Sequence, residues 1–215
     1  MTTYRAASAL ALSLSAATVT LALVSPALAA DLPQIRVSST NAVPACVTPG
    51  RLMAFVEARN GKFDKAAFDG IATEYMRHGE ALGIRWDYAF FQMLVETGSL
   101  AFKGDVKPRQ NNFAGLGATG GGEPGESFKD ISTGARAHLE HVLMYAGERI
   151  ENPTAERTRK VQEWGVLTSW QRSLKGPMTF AQLTRKWSPG DRGYARDIAS
   201  VADSFFDGAC KSADP

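Results

Sequence analysis

Apolar residues recur at three- and four-residue spacing in several stretches of the chain, the mark of helices that bury one face. "RLMAFVEARN" carries Leu52, Phe55 and Val56, with Gly61 as a stop. "DKAAFDGIATEYMRHGEALG" places Phe68, Ile71, Ala72, Tyr75 and Met76 on one side. "DYAFFQMLVETG" is different. Phe90, Phe91, Met93, Leu94 and Val95 leave almost no polar stripe, which predicts a helix buried on most sides. Asp87 reads as its N-cap and Gly98 as its C-terminal stop. Further on, "DISTGARAHLEHVLMYAGERI" is predicted to be capped by Asp130 or Ser132 and to bury Ile131, Ala135, Leu139, Val142, Leu143 and Ala146. "TRKVQEWGVLTSWQRSL" reads as helix, or helix plus turn, with Trp164 and Trp170 in the core. "TFAQLTRKW" is a short helix stopped by Ser188-Pro189-Gly190, and "DRGYARDIASVADSFFDG" is the last, with Tyr194, Ile198, Val201, Ala202 and Phe205 along one side.

Between these helices, Lys103 to Phe128 has no period, two prolines and the tract "GATGGGEPGE", which predicts a glycine-rich loop or small hairpin. That tract lacks a Gly-Lys-Ser/Thr and a preceding strand, so it is not a phosphate loop. "ERIENPTAERTRK" alternates charge and reads as a solvated face. No internal repeat or coiled coil is present. The expectation is a mainly α domain over residues 51–208, preceded by an extended segment at 31–50 with Pro33, Pro44 and Pro49, and followed by a tail at 209–215.

Residues 1–30 stand apart. Arg5, a run of Ala, Leu, Val, Ser and Thr, then Pro26 and "ALAA" have the layout of a secretory signal peptide cut near Ala29 or Ala30. Serine and threonine dilute the run too much for a stable membrane anchor. The expected product is periplasmic or secreted. In an oxidising compartment the two cysteines, Cys46 and Cys210, read as a disulfide joining the ends of the domain. The 215 residues carry a net charge of +2, with 44% hydrophobic and 21% charged residues. This is the balance of a globular domain, and it is too weakly basic for a nucleic-acid partner.

Candidate chemistry centres on Glu96, in the last turn of the oily helix. Apolar neighbours remove water, and the helix dipole is negative at that end; both disfavour an ionised carboxylate. A carboxylic acid that keeps its proton near neutral pH suits a glycosidase, which must protonate a leaving oxygen. Taken alone, a glutamate before Thr-Gly also fits the exposed end of any helix. The following "NNFAGLGA" changes the balance, because amide side chains and bare backbone match the hydroxyls and acetamido groups of a sugar.

"FFQMLVETGSL", "NNFAGLGA", "FKDISTGARAHLEHVLMYA" and "LTRKWSPGDRGYARDI", in this order, resemble the glucosaminidase family of bacterial peptidoglycan hydrolases, over about residues 87–204. The shared pattern is a helix ending in an acid and an Asn-Phe-x-Gly-Leu segment. A helix with a Gly-x-x-x-His follows, and a Trp-Ser…Asp-x-x-Tyr segment closes it. The resemblance implies a lysozyme-like α+β fold with a glycine-rich loop or small hairpin lobe beside the cleft. It implies cleavage of the β-1,4 glycan strand of peptidoglycan, with Glu96 as general acid and Tyr194 near the cleaved bond. Asn112, Phe113, Gly115 and Trp187 fall on cleft-lining positions, and Asn111 and Gln92 join them as neighbours in the loop and on the helix face. His138 falls on a histidine read as structural. Glu123, or Glu126, in the glycine-rich loop stands where the family often has a second carboxylate, and Glu123 is the choice. Hydrolysis with inversion, participation of the substrate's acetamido group, and a transglycosylase reaction stay open, as do cleavage of the muramic-acid bond and a non-catalytic wall-binding role. No metal or other cofactor is implied; His78 and His141 belong to no ligand pattern. The partners implied are peptidoglycan glycan strands and, from the family's habits, a secretion or flagellar apparatus that must pierce the wall.

Overall fold

The computed structural model describes residues 32–211. The signal-peptide reading of Met1–Ala30 and the last residues of the tail lie outside them. Eight helices make up the described part, in the order α1 (Pro49–Arg59), α2 (Ile71–Leu82), α3 (Trp86–Thr97), α4 (Ile131–Tyr145), α5 (Glu156–Trp164), α6 (Thr168–Ser173), α7 (Phe180–Trp187) and α8 (Tyr194–Asp207). The chain is mainly α. Among the described residues none of these elements is a strand, and the only β pairings are two isolated bridges, Gln34 with Thr179 and Arg36 with Ile84. No described helix is long and apolar enough to cross a membrane.

Local chemistry explains most boundaries. Thr48 accepts from the Arg51 amide at 3.3 Å and Pro49 supplies the first helical residue of α1. Gly70 and Gly83 bracket α2 in left-handed conformations, and Gly98 does the same at the end of α3. Asp130 caps α4 by accepting from the Thr133 amide at 2.7 Å. Thr179 and Gln182 form a reciprocal capping box at the start of α7. The α3 cap differs from the sequence expectation. Arg85 holds the cap position, and Asp87 lies inside the first turn, fully buried, in a two-pronged ion pair with Arg85 at 2.6 and 2.9 Å. A buried carboxylate is tolerable there because it is paired and because the helix N-terminus favours negative charge.

α3 is the central element, packed against α2, α4 and α8. Ala89, Phe90, Phe91 and Met93 have no exposed surface, as expected of a helix without a polar stripe. Two aromatic groups fill the spaces around it: Phe55, Phe91, Phe205 and Phe206 toward α1 and α8, and Phe68, Tyr75, Phe90, Phe102 and Phe113 toward α2. Gly79 permits the close crossing of α2 and α3, since a methyl group there would sit 2.1 Å from the Trp86 Cβ.

The extended lead-in belongs to this core rather than to a separate segment. Leu32 and Ile35 are buried. The Ile35 amide bonds to Met178 and its carbonyl accepts from Arg85, each within 2.9 Å, so the lead-in straps the α2–α3 corner to the start of α7. Cys46 and Cys210 are joined, closing 164 residues of sequence separation.

The segment between α3 and α4 is a loop, with one 3-10 turn at Pro108–Gln110, and the small hairpin allowed by its sequence does not form. Side-chain amides hold it in place of strand pairing. The Gln110 amide donates to the Pro124 carbonyl at 2.6 Å, Asn112 donates to Leu116 at 2.9 Å and Asn111 to Phe128 at 3.1 Å. Trp164, expected in the core, is instead 58% exposed, as the last residue of α5, whose inner face is Thr158 and Val161. The Arg157 guanidinium covers its ring at 5.7 Å. Trp170 is half-buried.

Candidate active site

The end of α3 brings Glu96 against residues from both ends of the fold. Its Oε1 accepts from the Trp187 indole N–H, at 2.8 Å, and from the Tyr194 hydroxyl. Trp187 closes α7 and Tyr194 opens α8, so the Ser188–Gly193 turn sets the two donors side by side. The Tyr194 hydroxyl in turn accepts from the Gln92 side-chain amide at 3.1 Å, one turn back along α3. The other oxygen, Oε2, faces Gly115, where a Cβ would lie 3.8 Å away. Gly115 is left-handed, with φ of 62°. A side chain there would be strained by the backbone and would rest in ordinary contact against the carboxyl.

Burial raises the Glu96 pKa, and the hydrogen bonds from Tyr194 and Trp187 pull it back part of the way. The net displacement is upward, as desolvation at an oily helix end predicts. Burial and the nearby Glu96 charge drive Tyr194 well above the usual tyrosine value, so it stays a donor. The Trp187 ring packs among His138, His141 and Tyr145, with centroids 5.2–5.6 Å away. Both histidines are buried and neutral, with pKa values pushed down to about 3 by loss of water. His138 Nδ1 pairs with the Tyr75 hydroxyl at 2.8 Å and His141 Nδ1 with the Thr158 hydroxyl at 2.8 Å. His138 thus sits in the core, as its apolar helix face suggested. Two buried polar atoms, Gln92 Oε1 and His138 Nε2, have no partner among the described residues.

A small pocket opens on Glu96. It is lined by Glu96, Phe102, Asp105, Asn112, Gly115 and Ala118, among others. Of the residues expected to line a sugar groove, Glu96, Asn112 and Gly115 are in it and Trp187 and Tyr194 stand directly behind the acid. Others are spent elsewhere. Asn111 and Asn112 turn their amide N–H groups to loop carbonyls. Phe113 is 1% exposed and packs on Phe68 and Tyr75, which makes it a core residue rather than a stacking platform. Gln92 is fully buried and reaches only Tyr194.

Glu123 is exposed among Gly120, Gly121 and Gly122 and does not line the pocket. Glu126, its neighbour, is engaged: its two oxygens accept from the Glu156 and Arg157 amides at 2.9 and 2.6 Å, capping α5. Tyr145, His141 and Asp105 were missed by sequence reasoning. The first two are visible there as the polar residues of the α4 stripe; Asp105 has no sequence signal, because only the path of the loop brings it back.

No family model matches the chain, and no solved structure matches it. Among curated proteins it is 33% identical over 112 residues to an uncharacterized protein of Borreliella burgdorferi. The match covers 50% of this chain and 55% of that protein, so the chain spans about half the length of the curated relative it matches.

Proposed function

We propose that the protein is an exported glycoside hydrolase that cleaves the β-1,4 glycan strand of peptidoglycan at N-acetylglucosamine, with a lysozyme-like arrangement of helices and Glu96 as the proton donor. One observation carries the reading. A carboxyl group at the end of the central helix is desolvated, has one oxygen held by Trp187 and Tyr194, and turns the other toward a pocket walled by glycine and a loop amide. With Oε1 saturated by donors, the proton of the neutral acid resides on Oε2, the oxygen that faces the pocket. Burial keeps it there at a pH where an ordinary glutamate is ionised.

In the reaction, Glu96 Oε2 gives this proton to the leaving glycosidic oxygen as the bond to C1 breaks, and the new carboxylate is stabilised by the two donors already on Oε1. Tyr194 and Trp187 therefore act through Glu96 rather than on the sugar. Gly115 leaves room for a sugar ring against the acid. The leader-like N-terminus and the disulfide support a periplasmic or secreted location, where the polymer is found.

The test is a digest of purified peptidoglycan by the mature protein, with fragments read by mass spectrometry. Reducing N-acetylglucosamine ends are expected from the wild type and none from Glu96→Gln. Reducing muramic acid ends would move the cleavage to the other bond, and anhydro ends would make the enzyme a transglycosylase. Co-sedimentation with the polymer and no release by either protein would leave a wall-binding factor.

A further inference from the structure

Hydrolysis with inversion needs a second carboxylate on the opposite side of the sugar, and neither glutamate of the glycine-rich loop lines the Glu96 pocket. Glu126 is fixed on the α5 N-terminus, and Glu123 is exposed and outside the pocket lining. A third carboxylate does line the Glu96 pocket. Asp105 lies nine residues beyond Glu96, half-buried, with no hydrogen bond or ion pair to any described residue. Nearly every other acid in or beside the core has a partner: Asp87 has Arg85, Glu140 has Arg136, and Glu126 has two amides.

The backbone is bent in an unusual way to place it. Gly98, Ser99, Leu100 and Phe102 are all left-handed, with φ between 46° and 63°. Three of the four are not glycine, at a cost of roughly 1 kcal/mol or more each. This turn does more than stop α3: it reverses the chain over the helix end and returns Asp105 to the pocket. It is held by specific bonds. Thr97 Oγ1 accepts from the Leu100 amide at 2.9 Å, and the Thr97 carbonyl accepts from Phe102 at 2.9 Å. Asn60 donates to the Ser99 carbonyl at 2.8 Å, and Phe102 stacks on Phe68 at 5.5 Å. A strained, multiply pinned turn leads to an unpartnered carboxylate that lines the same pocket as a desolvated acid.

We propose that Asp105 is the base that activates water opposite Glu96, which makes the enzyme an inverting hydrolase; this rests on the glycosidase reading above. The Asp105 carboxylate takes one proton from water, the water oxygen bonds to C1, and the C1–O bond to the leaving sugar breaks. The Glu96 proton goes to that leaving oxygen, so atoms and charge balance. The two carboxyl groups take different roles because their surroundings differ: Glu96 is desolvated at the helix end, whereas Asp105 is on a half-open loop.

The experiment compares wild type, Glu96→Gln, Asp105→Asn, Asp105→Ala and Glu123→Gln on peptidoglycan, with co-sedimentation and melting temperature measured alongside. Asp105→Asn is expected to lose at least about a hundredfold in kcat while KM, polymer binding and melting stay near wild type. Sodium azide is expected to restore turnover to Asp105→Ala and to give an α-glycosyl azide from the β-linked strand. The proposal is overturned if Asp105→Asn keeps its rate while Glu96→Gln is inactive, if Glu123→Gln is the variant that fails, or if the azide product is β, the mark of acetamido participation. Absence of activity in the wild type would instead remove the glycosidase reading, and this inference with it.

Discussion

The two oxygens of Glu96 have separate duties, and the separation makes predictions at the level of single residues. Glu96→Gln is expected to lose about 10²- to 10⁴-fold in rate, the usual worth of a positioned acid. It is also expected to melt higher than wild type at neutral pH. The sign follows from the raised pKa. The folded state holds this proton more tightly than the unfolded chain, so the wild type loses stability as pH rises from the ordinary glutamate value through the folded one. The neutral amide escapes that loss, and its advantage disappears in acid. Calorimetry of both proteins at pH 4 and pH 7 checks this; a lower melting point for the variant at pH 7 would contradict it. The two donors on Oε1 favour the ionised form. Trp187→Phe and Tyr194→Phe are each expected to cost roughly tenfold in rate, the value of one hydrogen bond. Each is also expected to move the alkaline limb of the kcat/KM profile to higher pH. A shift to lower pH would show that the donors do not act on the acid.

At the scale of elements, the site depends on how closely a loop approaches a helix. Gly134 lies in the first turn of α4, and a Cβ there would be 1.9 Å from the Asn111 carbonyl oxygen. Gly134→Ala must push that loop away. A destabilisation of about 1–3 kcal/mol is expected, read by urea unfolding, together with a loss of activity larger than the loss of folded protein. The same loop shows what a sequence reveals and what it hides. The α3 stop at Gly98, the Asp130 cap and the α8 face follow from rules about single residues and their spacing. The burial of Glu96 follows from the oily helix on which it ends. By their chemistry, Asn111 and Asn112 suit a sugar ligand. A glycine-rich loop without strands leaves many carbonyls unpaired, however, and the nearest amide side chains satisfy those first. The place of Phe113 in the motif points to the cleft, but an aromatic packed on Phe68 and Phe102 completes a core. Asp105 was hidden because non-glycine residues in left-handed conformations do not announce themselves in composition.

At the scale of the molecule, two buried histidines and one covalent link set the limits of stability. His138 and His141 have pKa values of about 3 in the fold and the ordinary value near 6.5 in the unfolded chain. The unfolded state therefore binds more protons between those limits, and stability falls as pH drops through that window. By pH 4 each histidine costs roughly 3 kcal/mol as an upper figure. Unfolding in urea at pH 7 and pH 4 is expected to show a net loss of several kcal/mol, and a flat profile would rule out neutral buried histidines. Reducing the Cys46–Cys210 bond is expected to cost as much as about 5 kcal/mol, from the freedom returned to so long a loop. That same bond turns the folded domain into a covalent ring. The longest unbroken exposed run among the described residues of the ring is Thr119–Pro124. A protease that cuts there opens the ring without dividing it, so the nicked molecule stays one covalent unit, with the Glu96 pocket on one segment and its donors Trp187 and Tyr194 on the other, until a reductant releases two fragments. Paired gels run without and with reductant would show one band in the first case and two in the second.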